Sequence, residues 1–89
     1  MPTAKSYHIF FTRTAKKDYE AIKDKKLLKR INTILDDLKS NPLLGKPLHG
    51  EFIGCKSIKT FSFRIIYRIE KHDVIITVLR IQHRREVYR

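Results

Sequence analysis

The chain is short of acid. Nine aspartates and glutamates stand against twenty lysines and arginines, a net charge of +11 over 89 residues. Solubility alone asks for a net charge of only ~2–8 in a small domain. An excess of this size draws polyanions, with nucleic acid first, an acidic protein second and an anionic membrane third. Cysteine is nearly absent too. With Cys55 alone no intrachain disulfide can form, and nothing points to an oxidising compartment. Cys55 lies in an apolar-alternating stretch and reads as a buried small hydrophobe. No apolar run is long enough to cross a membrane, and "YHIFF" is too short for the core of a secretory signal. The expected location is therefore the cytoplasm. No glycine-rich phosphate loop is present, and the four histidines show no metal-ligand spacing. No metal or cofactor is expected.

What remains is patterned as one domain, residues 1–89. "YHIFFT" (Tyr7–Thr12) is a β-rich run, and Thr12 or Thr14 is placed to cap a helix carrying Ala15, Tyr19 and Ile22 on one face. After a break at Asp24–Lys26, Leu27, Ile31, Ile34, Leu35 and Leu38 keep a strict helical rhythm. "SNP" ends that helix. All three glycines and Pro47 then fall within Leu43–Gly54, which reads as a loop. Three strand-like runs follow, "CKSIKT", "FRIIYRIE" and "VIITVLRI", separated by short turns at Phe61–Ser62 and "KHD". The expected fold is α+β: an N-terminal strand and a two-helix hairpin packed on one face of a small, largely antiparallel four-stranded sheet.

Alternation along "FRIIYRIE" puts Phe63, Ile65, Tyr67 and Ile69 toward the helices, and Arg64, Ile66, Arg68 and Glu70 outward. The hairpin brings Lys59 beside Arg64. Arg80 leaves the last strand toward the terminal "HRREVYR". A surface of this kind suits phosphodiester chemistry. The planar fork of arginine matches phosphoryl oxygens, and fixed cations stabilise a dianionic phosphorane. Histidine is the side-chain type suited to proton transfer near neutral pH, which makes His83 a candidate, and Tyr88 is able to stack on an unstacked base. Basic residues on a sheet face are nonetheless more often plain binding groups than catalysts.

The order "FFTRTAKKDYEAI", a long amphipathic helix, "NPLLGKPLHGEF", "KSIKTFSFRIIYRIE" and "VLRIQHRREVYR" resembles the RelE/ParE toxin superfamily of bacterial type II toxin–antitoxin systems. The most specific parts are "FRIIY" and "IQHRREVY", and they point to the RelE-like, mRNA-interferase branch. The resemblance implies a toxin that cuts mRNA in the A site of the 70S ribosome. It implies cleavage by 2′-OH attack without metal, and a cognate antitoxin that holds the toxin in a hetero-oligomer. It implies catalytic roles for Arg64, Arg84, Lys59, His83 and Tyr88, with Lys56, Arg68, Arg80 and Arg85 on the RNA-binding surface. Gln82 in place of a glycine before the His-Arg pair, and Phe61–Ser62 in place of a Gly-Asp turn, depart from the family pattern. Two other readings share the fold or the charge: a ParE-like DNA gyrase inhibitor, and a basic nucleic-acid-binding module without catalysis.

Overall fold

The computed structural model, which describes residues 6–60 and 62–83, begins with strand β1, His8–Phe11. Ile9 and Phe11 turn toward the core while His8 and Phe10 stay exposed, the period-two pattern of a half-buried strand. Thr12 stops the strand and starts α1 (Arg13–Glu20), its hydroxyl oxygen accepting the Ala15 amide at 3.0 Å. Such a cap is worth about 1 kcal/mol. Asp24 caps α2 (Lys25–Ser40) in the same way, accepting from the amides of Lys26 and Leu27. Ile31, Leu35 and Leu38 on α2 are buried, with Leu27 and Ile34 packed at the margin. They meet Ile65, Tyr67, Ile76, Val78 and Ile81 of the sheet. Cys55 is buried, as its apolar setting implied.

The sheet has five strands rather than four. β2 (Lys46–Pro47), β3 (Lys56–Lys59), β4 (Phe63–Glu70) and β5 (Ile75–His83) join β1 in the order β1-β5-β4-β3-β2. The extra strand, β2, lies in the segment expected to be loop. It is two residues long and sits at the edge, where Pro47 is tolerated because no further strand needs its missing N–H. β1 runs parallel to β5, and every other pairing is antiparallel.

One irregularity sets the orientation of the last strand. The β4–β5 ladder pairs Ile66 with Arg80 but Tyr67 with Val78, so Leu79 is an extra residue. A bulge of this type reverses which face later residues occupy. Strict alternation from Ile76 and Val78 would bury Arg80 and Gln82. With the bulge, Ile81 and His83 turn to the helix side, and Arg80 and Gln82 turn out. Helix α1 satisfies the backbone that this exposes. The Thr12 hydroxyl donates to the Leu79 carbonyl at 3.0 Å, and the Asp18 carboxylate accepts the Ile81 amide at 3.0 Å.

Candidate nucleic-acid interface

Of the expected cations, Lys59, Arg64, Arg68 and Arg80 lie at outward positions of the sheet, and the structure sorts them by partner. Lys59 and Arg64 are directly opposed across the β3–β4 hairpin, with Gln82 next in the same row on β5. Like charges in that arrangement repel and destabilise a hairpin. No carboxylate compensates them: neither forms an ion pair among the described residues. The Arg64 Nε is buried and has no hydrogen-bond acceptor there, which leaves a guanidinium donor unsatisfied. Arg68 and Arg80 differ. Arg68 donates from Nε and Nη2 to Glu70, at 3.2 and 3.1 Å. These bonds and the Thr77 hydroxyl hold the Glu70 carboxyl below its ordinary pKa. Arg80 donates to Asp18 at 2.8 and 3.3 Å.

Two expected residues are not brought to the Lys59–Arg64 row. Lys56 opposes Tyr67 and Pro47, one residue out of phase with Ser57 and Lys59, and so belongs to the other face. His83 opposes Phe63, with ring centroids 4.9 Å apart, and lines a cavity of about 410 Å³ with Leu27, Ile22 and Ile81 on the helix side. The sequence reading grouped it with the outer cations. The sheet separates them, because its Cα is in phase with the core residue Ile81. Arg84, Arg85 and Tyr88 lie outside the described residues.

Beside Lys59 and Arg64 a groove of about 440 Å³ is lined by Leu44, Lys46, Pro47, Leu48, Ser57 and Ile58 as well. The segment after α2 forms its far wall, and Tyr67 fixes that wall. Its phenol donates to the Pro42 carbonyl and accepts the Gly45 amide, each at 2.8 Å. Burial pushes the phenol above its ordinary pKa of 10.0, and the Gly45 hydrogen bond partly offsets this. Gly45 is required by close approach, since a Cβ there would sit 2.6 Å from the Tyr67 hydroxyl. Lys46 and the anchoring role of Tyr67 are not among the residues expected from the sequence. A signal existed for the second: a tyrosine at an inward strand position must find a partner for its hydroxyl.

Among the described residues no group of three or more His, Cys, Asp or Glu side chains is arranged to hold a metal ion. No helix there is long and apolar enough to cross a membrane. Chemically, the groove offers cations and a hydroxyl-anchored wall to an anionic, elongated ligand.

Residues 9–88 match the family described as the ParE toxin of type II toxin–antitoxin systems. The chain is 33% identical over 84 residues to the toxin RelG of Mycobacterium tuberculosis, covering 93% of this chain and 97% of that one. It is similar in structure to the RelBE2 toxin–antitoxin complex from Mycobacterium tuberculosis, with a TM-score of 0.78 and 31% identity over 88% of this chain and 91% of that one. The isolated Escherichia coli RelE toxin shares the fold, with a TM-score of 0.77 and 20% identity over 93% of this chain and 92% of that one.

Proposed function

The chain belongs to the ParE toxin family of type II toxin–antitoxin systems, within the RelE/ParE superfamily, and from that premise we propose that it is a ribosome-dependent mRNA endoribonuclease. The observation that carries this reading is the opposed Lys59–Arg64 pair, which lacks an acidic partner among the described residues. A like-charged cross-strand pair lowers stability unless something negative is brought to it. A phosphodiester supplies that charge.

The reaction is attack by a ribose 2′-OH on the adjacent phosphorus. The 2′-oxygen gives its proton to solvent water, the new P–O2′ bond forms as the P–O5′ bond breaks, and the 5′-oxygen leaves with a proton from solvent, giving a 2′,3′-cyclic phosphate. The Arg64 fork engages the phosphoryl oxygens, where charge grows most in the transition state. The Lys59 ammonium, in the same row, stabilises the forming alkoxide. Arg84 serves the leaving oxygen and Tyr88 stacks on the base, as the family resemblance implies for them. His83 takes no part in this scheme, because its ring packs on Phe63 at the opposite face. A cognate antitoxin neutralises the toxin, as a complex of this kind is what the similar RelBE2 structure contains.

Induced expression tests the assignment. Arg64→Ala should relieve growth inhibition by lowering the cutting rate about 100- to 1,000-fold, the range for losing one transition-state donor. His83→Gln should leave inhibition intact. Full toxicity in a folded Arg64→Ala protein contradicts the scheme, and so does a harmless, folded His83→Gln protein.

A further inference from the structure

The groove extends beyond the reacting pair. Lys46 stands on β2 opposite Ser57, and Ser57 stands opposite Ile66, so Lys46 belongs to the outer face. It is one row along from Lys59 and Arg64. Strands are about 4.8 Å apart and successive residues on one face about 6.8 Å, which puts the Lys46 and Arg64 backbones about 12 Å apart on the diagonal. The three cations thus follow a diagonal from β4 to β2. Lys46 is exposed and, like the other two, has no ion pair among the described residues. The lining between them holds no carboxylate; it is Ser57, Ile58, Leu44, Pro47 and Leu48.

From this arrangement we infer that Lys46 binds a second backbone phosphate of single-stranded RNA, the one next to the phosphate held by Lys59 and Arg64. A single phosphate is served by the directly opposed pair. A third cation two strands away suits a chain of phosphates, and the apolar wall of Leu44, Pro47 and Leu48 suits the ribose and base between them. Lys46 is placed by its neighbour, since the Gly45 amide is tied to the Tyr67 hydroxyl at 2.8 Å. Its contribution is to binding, not to bond breaking. The inference rests on the ribonuclease reading only for the choice of RNA as the polyanion.

The test uses a short single-stranded oligoribonucleotide, 2′-O-methylated throughout so that it resists cutting. Its affinity is followed against salt for the parent and for Lys46→Gln, Lys46→Arg and Lys29→Gln. Lys29 is exposed on α2, on the helix side of the sheet. Each phosphate contact contributes about −0.7 to the slope of log K against log salt for a single strand. Lys46→Gln should therefore flatten the slope by about 0.7 and weaken binding at low salt several-fold. Lys46→Arg and Lys29→Gln should keep the parental slope. An unchanged slope in Lys46→Gln, an equal loss in Lys29→Gln, or no binding by the parent at low salt would each overturn the inference. The ribonuclease reading fails separately: a parent that binds the probe through Lys46 but cuts no ribosome-bound mRNA keeps the groove and loses the reaction.

Discussion

Tyr67 shows how much one side chain carries outside the chemistry. Its hydroxyl joins the sheet to Pro42 and Gly45, and so holds the wall of the groove. Tyr67→Phe leaves a buried amide and a carbonyl without their partner, at about 2 kcal/mol in denaturant unfolding. The phenol's folded pKa is raised above 10.0 by burial. Its contribution is therefore complete below pH ~10, where the unfolded tyrosine ionises, and is lost as pH rises through the higher folded value. Tyr67→Phe should remove that part of the alkaline loss; an identical alkaline profile would contradict the linkage. At this scale the sequence was most legible where neighbours are local. Lys59 and Arg64 are joined by a short hairpin, so their opposition followed from turn length. Arg68 and Arg80 looked like free cations, because their partners come from elsewhere: Glu70 two residues on, and Asp18 on the other side of the chain order.

Among the elements, α2 was readable because five of its apolar residues, Leu27, Ile31, Ile34, Leu35 and Leu38, keep a helical rhythm, and all five reach the core. β4 was readable from its β-branched and aromatic run between two short turns, although Ile65, Ile66 and Tyr67 are all buried and its burial does not alternate. β5 was not. Nothing in "TVLRIQH" marks Leu79 as a bulge, for it has neither glycine nor proline there, and the partner that permits it is Thr12, 67 residues earlier. The parallel β1–β5 pairing is equally long-range, and the two-residue β2 is too short for any pattern. Asp18 carries the clearest consequence. It accepts the Ile81 amide and binds Arg80, and its carboxyl is mostly shielded, at 16% side-chain exposure. Asp18→Ala should cost about 2 kcal/mol and speed hydrogen exchange at the Ile81 amide. Asp18→Asn keeps an acceptor oxygen and should lose about half as much. Unchanged exchange at Ile81 in Asp18→Ala would show that the edge of β5 is held otherwise.

For the whole molecule, the excess charge of +11 resolves into cations with different tasks. Arg68 and Arg80 help fasten the fold, while Lys46, Lys59 and Arg64 line a groove without acid. Apolar side chains are also left uncovered nearby, Leu43 at 65% and Leu44 at 47% exposure, with Ile53 at 76% farther along the same segment. A surface both basic and apolar is one that a folding-on-binding antitoxin is suited to cover. The central claim is that the Lys59–Arg64 groove cuts mRNA on the ribosome. Mapping mRNA 5′ ends in a ribosome-containing translation extract, with parent and Arg64→Ala proteins compared, tests it most directly. The account predicts new ends within codons at the A site for the parent and their loss in Arg64→Ala. Undisturbed mRNA and translation with the folded parent, or equal cutting by Arg64→Ala, would contradict it, and the first of these would turn attention to DNA gyrase.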